Sequence, residues 1–299
     1  MEASRPLRPV ASAVAGRGGL DRLVAERASN LACVFCDMDG TLLTPLSRLP
    51  DGLAEAVRRL QSTGVRFVPA TGRTLWSIRD ILSPLGNLGS ELDLVAGNGM
   101  DVIMGGRSLV HLEYDRTLLR ELLDAVRSDP ARPGMVVYDQ AQPYLLNMSA
   151  ETFFSGRQPT NEASLFAEAD DLPRETVVKA ALIAREDPER VAARYADRFA
   201  GRLEFAVCGR HWIDIPLPGA GKDAGALALL RGLGVGPERA IAFGDSMNDA
   251  ALMGIVGGSV AVSNALPQLK GMCSYEIGSN AEGAVVQALE ALADARLRG

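Results

Sequence analysis

From Leu31 onward the sequence alternates between short apolar runs and longer stretches with helical spacing, and this alternation leaves few architectures open. LACVFCD (31 to 37) has the length and apolar character of a buried strand, and LAEAVRRLQSTG (53 to 64) repeats apolar residues at helical intervals and stops at a glycine. VRFVPAT (65 to 71) predicts a second strand, TLWSIRDIL (74 to 82) a second helix and DLVAGNG (93 to 99) a third strand. Strand, helix, strand in succession predicts parallel pairing, because parallel neighbours need a long crossover.

The same grammar returns after residue 212. KDAGALALLRGLG (222 to 234) predicts a helix, RAIAFGD (239 to 245) a strand, MNDAALMGI a helix, SVAVS (259 to 263) a strand, and a closing helix runs from Glu282. The fold class expected is α/β, a doubly wound parallel-sheet core of Rossmann-like type built from residues 29–112 and 213–299. The middle has another rhythm: an amphipathic helix over 115 to 128, strands at GMVVYDQ, PYLLNMS, VVKAALIA, LEFAV and HWIDI, and a helix begun by Asp187 and Pro188. Residues 113–212 are therefore expected to form an α+β unit inserted into the core. Residues 1–28, rich in Ala and Arg and interrupted by Gly16, Gly18 and Gly19, read as a flexible extension.

Composition narrows the function classes. Apolar residues make up 47% and charged residues 23% of the 299, an ordinary soluble balance. A formal charge of −6 without any dense basic run argues against nucleic acid and anionic membrane surfaces as partners. No apolar stretch is long enough to cross a bilayer, and a cytoplasmic location is expected. Four cysteines, Cys33, Cys36, Cys208 and Cys273, are too few to staple so long a chain.

In open α/β sheets ligands bind beyond the carboxyl ends of the strands, and Asp37, Thr71 and Asp245 each end a predicted strand. Asp37 and Asp39, two residues apart on an extended strand end, can point to one side before Gly40 turns the backbone. Two crowded carboxylates repel unless a cation sits between them, and hard oxygen ligands suit Mg²⁺, the ion of phosphoryl transfer. An isolated Asp-x-Asp-Gly also suits a surface turn, so the context decides.

Taken in order, DMDGTLL (37 to 43), TGR (71 to 73), Lys222 at a helix start and GDSMNDAALM (244 to 253) resemble the four motifs of the haloacid dehalogenase-like (HAD) hydrolases, a mostly phosphatase superfamily. The inserted unit resembles the type C2 cap of the Cof-like subfamily (IIB), and AGNGMDVI (96 to 103) and SNAEGAVVQALEAL (279 to 292) are similar to stretches of that subfamily. The family's lysine is commonly preceded by Ser and followed by Gly, whereas Gly221 and Asp223 flank Lys222.

The resemblance implies roles residue by residue. Asp37 would attack phosphorus and carry an aspartyl phosphate, while Asp39 protonates the leaving oxygen and then deprotonates the hydrolytic water. Mg²⁺ would be held by the Asp37 carboxylate, the Asp39 main-chain carbonyl and Asp245. Thr71, the backbone at Gly72, Lys222 and Asn248 would bind the phosphate, and Asp249 would orient Lys222 or a metal-bound water. Arg73 is a substrate contact or a helix-start residue. The substrate implied is a small phosphorylated metabolite, with sugar phosphates as the class and the inserted unit selecting the leaving group.

Two other functions are open. The same aspartates serve phosphotransferases and sugar phosphomutases, which differ only in what accepts the phosphoryl group. Cys33 and Cys36 form a Cys-x-x-Cys pair that reads either as a thiol redox or metal-binding pair or as small buried residues of a strand. PGAGKD lacks the first glycine and the final Ser or Thr of a phosphate-binding P-loop, and GLGVG follows a helix rather than a strand. His111 and His211 carry no ligand spacing, and Trp76 and Trp212 read as cleft or packing aromatics.

Overall fold

The computed structural model describes residues 19–154, 166–185, 187–207 and 210–298, so Cys208 and the first part of the expected N-terminal extension lie outside the described residues. The chain divides into two compact units, residues 1–67 with 236–299 and residues 68–235.

The first unit is built on a parallel sheet. Its strands lie in the order Tyr275–Ile277, Gly258–Val262, Ala240–Gly244, Cys33–Cys36 and Arg66–Pro69, and the chain leaves the unit within the last of these. The central strands CVFC and AIAFG are buried at every position, as apolar runs covered on both faces must be. Helices Leu53–Ser62 and Ala284–Arg298 pack together, helices Ala250–Ile255 and Pro267–Met272 form a second pair, and the doubly wound expectation holds. The register Cys36↔Phe243 sets Asp37 and Asp245 at the carboxyl ends of adjacent strands.

The N-terminal expectation needs a correction at residues 20–28. Leu20–Arg27 is a helix whose Leu23 is fully buried. The Tyr275 hydroxyl donates to Glu26 Oε2 at 2.6 Å and accepts from Arg27 Nε at 3.1 Å. The glycines that argued for an extension all precede this helix; its single buried leucine and long-range polar contacts leave no periodic signal.

The second unit holds two sheets. Leu94–Ala96, Asp101–Met104 and Arg107–His111 form an antiparallel sheet, with helix Lys222–Leu233 packed on it. Gly225 of that helix meets Val95 and Val102 so closely that a methyl group would collide with Val95. The second hairpin turns at Gly105 and Gly106, both at positive φ, the pattern of a two-residue turn.

The other sheet has six strands, in the order Ala206–Val207, Trp212–Asp214, Lys179–Ile183, Gly134–Tyr138, Pro143–Leu146 and Ala167–Glu168. Helices Arg116–Ser128 and Pro188–Arg198 bury Leu119, Leu122, Val126, Val191 and Tyr195 with Met135, Val137 and Leu182 of one sheet face. Strand periodicity turns Val136, Tyr138, Ile183 and Trp212 to the opposite face. The strands expected at LEFAV and HWIDI shrink to two and three residues.

Candidate active site

Asp37 follows the buried strand Cys33–Cys36, and its N–H donates to the Phe243 carbonyl at 3.0 Å, extending the parallel pairing by one residue. Beyond it the chain winds into a tight loop in which Leu42 N–H returns to the Asp37 carbonyl at 3.2 Å and Leu43 N–H to the Met38 carbonyl at 2.8 Å. Gly40 has φ of 80° within this loop, and a methyl group there would be driven into the Asp245 carboxylate. The sequence therefore needs glycine twice over, for the backbone angle and for the close approach.

Asp245 leaves the neighbouring strand, and Thr41 Oγ1 donates to its Oδ1 at 3.3 Å. Asp249, fully buried, accepts at Oδ2 from the N–H groups of Asp245 (3.1 Å) and Ser246 (3.3 Å). Its reciprocal partner is the Ser246 side chain, which completes a capping box at the start of the following turn. Carboxylate oxygens of Asp37, Asp245 and Asp249 lie within 4.8 Å of one another. Asp39, whose residue is exposed, is not one of this trio. Three hard oxygen donors at this spacing fit a small divalent cation such as Mg²⁺.

Two asparagines that the sequence reading did not single out fix the Asp37 loop. Asn264 Nδ2 donates to the Gly40 carbonyl at 2.7 Å, and Asn280 Nδ2 to the Leu43 carbonyl at 2.8 Å. Asn280 N–H in turn donates to Asn264 Oδ1 at 3.0 Å, linking the two. Their only sequence signal is position, one just past a strand and one in SNAEG. Asn248 is exposed and accepts from Ser246 Oγ at 2.6 Å.

In the second unit, Thr71 is buried at the end of a strand, its N–H donating to the Val95 carbonyl at 2.9 Å. Its Oγ1 accepts from Arg73 N–H at 3.2 Å, and the Arg73 guanidinium donates to Ser77 Oγ at 3.3 Å. Lys222 is only 2% exposed and opens its helix directly after Gly221, whose carbonyl lies where a Cβ on Gly99 would be. The GNG and GAGK stretches are thus fitted to one another within this unit.

The remaining candidates resolve by geometry. Cys33 and Cys36 are fully buried, and three residues apart on a strand they face opposite sides of the sheet. The Cys36 thiol donates to the Asp37 carbonyl at 3.1 Å. His111 bridges Asp101 (2.5 Å) and Glu113 (2.9 Å), and the Asp101 hydrogen bond raises its pKa above the ordinary imidazole value. His211 Nδ1 lies 2.9 Å from the Ala184 carbonyl. Trp76 and His111 line a cavity of about 580 Å³, and Trp212 Nε1 donates to Asp214 at 2.7 Å.

Residues 34–289 match the family model of the haloacid dehalogenase-like hydrolases, and the chain belongs to that family. An HMP-PP phosphatase of Klebsiella pneumoniae (strain 342) is 28% identical over 245 residues, 78% of this chain and 85% of that protein. A solved structure from Streptococcus mutans UA159 superposes with a TM-score of 0.78 at 22% identity, covering 87% of this chain and 98% of the other. A HAD subclass IIB sugar phosphatase gives a TM-score of 0.70 at 17% identity, covering 87% of this chain and 98% of its own. The α/β fold with its parallel central sheet is the fold these structures share.

Proposed function

We propose that the protein is a Mg²⁺-dependent phosphatase that releases phosphate from a small phosphorylated metabolite through an aspartyl phosphate on Asp37. The observation that carries this reading is the carboxylate trio in which Asp37 and Asp245 follow adjacent parallel strands and Asp249, in the next turn, accepts from the Asp245 N–H. Three carboxylates so close repel one another, and a cation between them would relieve that repulsion.

Asp37, by family resemblance, supplies the nucleophilic carboxylate: an oxygen lone pair attacks phosphorus as the bond to the leaving oxygen breaks. The exposed Asp39 gives that leaving oxygen its proton and then accepts one from the water that attacks phosphorus and frees Asp37. Asp37, the Asp39 carbonyl and Asp245 would hold Mg²⁺, with Asp249 orienting the group around it. When bound, the ion neutralises the anionic phosphoryl oxygens. Thr71, the backbone at Gly72, Lys222 and Asn248 take the phosphate-binding roles, and Arg73 a supporting one. The assignment of 29–112 with 213–299 as catalytic core and 113–212 as a cap that selects the leaving group belongs to the same proposal.

HMP-PP and sugar phosphates are the substrate classes to test first, because a 28% identical relative acts on the first and a structural neighbour is named for the second. The deciding experiment is hydrolysis of p-nitrophenyl phosphate with Mg²⁺ or EDTA, wild type against Asp37→Asn. Turnover that needs Mg²⁺ and disappears in the variant supports the reading; turnover that survives in the variant refutes it. Product analysis with a mixed sugar pool separates hydrolysis from phosphoryl transfer between sugars.

A further inference from the structure

Lys179 lies on the six-stranded sheet, on the face away from its helices, and is 16% exposed. Its Nζ donates to the Gly72 carbonyl at 2.8 Å, a residue 107 positions earlier in the chain. The ammonium is fixed from several sides: it pairs with Asp214 at 3.4 Å and lies 5.6 Å from the Tyr138 ring centroid and 5.8 Å from that of Trp212. Asp214 is itself held by Trp212 Nε1 and by Asn98 Nδ2 at 3.1 Å. Asn98 closes the circuit, its N–H donating to the Thr71 carbonyl at 2.9 Å and its side-chain amide lying 3.2 Å from where a Cβ on Gly72 would be.

The consequence follows from peptide geometry. In a trans peptide the carbonyl and the next N–H point in opposite directions, so fixing the Gly72 carbonyl also fixes the Arg73 N–H. That N–H donates to Thr71 Oγ1 at 3.2 Å and occupies one of the hydroxyl's acceptor positions. With that position filled, the Thr71 proton is turned away from Arg73 and is free to be donated to a ligand oxygen. We propose that Lys179 is a positioning residue: acting through the Gly72 peptide, it orients the Thr71 hydroxyl toward the transferring phosphoryl group. The proposal rests on the phosphatase reading above, in which Thr71 binds that group.

The test is a double-mutant cycle between Lys179→Met and Thr71→Ala, with p-nitrophenyl phosphate as substrate. Lys179→Met is expected to lower kcat at least tenfold with KM within threefold, and to have little further effect once Thr71 is alanine. Lys179→Arg, which keeps a donor for the Gly72 carbonyl, should recover part of the lost kcat. Because methionine leaves Asp214 without its cation, Lys179→Met/Asp214→Asn removes both charges; recovery of thermal stability without recovery of kcat separates positioning from neutralisation. Kcat in Lys179→Met within twofold of wild type, effects of the two substitutions that multiply, or full recovery in the charge-neutral pair would each overturn the proposal. Wild type without Asp37-dependent turnover would instead refute the phosphatase reading. Hydrogen exchange at residues 71 to 74 tests the structural half of the proposal separately: faster exchange in Lys179→Met supports ordering of the Gly72 peptide by the lysine, and unchanged exchange overturns the proposal.

Discussion

Replacing Asp245 with asparagine is expected to make the metal-free protein more stable, at the expense of metal binding. Two unit charges 4.8 Å apart repel by about 3.5 kcal/mol at an effective dielectric of about 20, and Asp245 faces two such neighbours. Asp245 is part-exposed, so most of that repulsion is screened by solvent. The amide oxygen of asparagine still accepts from Thr41, losing roughly 1 kcal/mol of charge assistance. The net expectation is a gain of about 1–2 kcal/mol in urea unfolding with EDTA present. With Mg²⁺ at 100 times its Kd the wild type gains about 2.7 kcal/mol, more than the variant's lead of about 1–2 kcal/mol, so the order of stabilities reverses when loss of one ligand holds the variant's own gain below about 0.7 kcal/mol. A variant less stable than wild type in EDTA, or a wild type whose midpoint ignores Mg²⁺, would refute the metal-site reasoning.

Two further perturbations probe other parts of the account. Gly40→Ala places a methyl against Asp245 at positive φ; unfolding should show a loss of roughly 1–2 kcal/mol from the backbone alone, and turnover should fall by about 100-fold because the carboxylate is displaced. His111 gains its partners on folding and its pKa rises, so its contribution to stability is fully present below about pH 6.5 and is lost as pH climbs through the raised value. The stability difference between wild type and His111→Asn should accordingly be largest near pH 6 and shrink toward pH 9, as a series of urea titrations would read.

What could be read from sequence was whatever chain-local chemistry dictated. CVFCD and RAIAFGD announce buried strands ending in aspartate, and parallel pairing then brings Asp37 and Asp245 together without further information. The hairpin from Asp101 to His111 passed unread, although Gly105 and Gly106 between apolar runs were its signal. Thr41, Asn264 and Asn280 were not legible, because Thr41 reaches Asp245 and the two asparagines reach the Asp37 loop through hydrogen bonds that only the fold brings together. Lys179 is the extreme case: an ordinary strand lysine by pattern, it acquires meaning from Gly72, which tertiary folding brings against it. The helix at Leu20–Arg27 was hidden for the same reason, its one buried leucine and its contacts to Tyr275 lying far apart in sequence.

The claim on which the account turns is that Asp37 carries the phosphoryl group. Quenching the enzyme during turnover with Mg²⁺ and substrate, adding borohydride and mapping the peptides would test it, since reduction converts an acyl phosphate on aspartate to homoserine. Reduction is expected at residue 37, dependent on substrate and absent in Asp37→Asn. Reduction at a different carboxylate, with residue 37 untouched in an active enzyme, would contradict it.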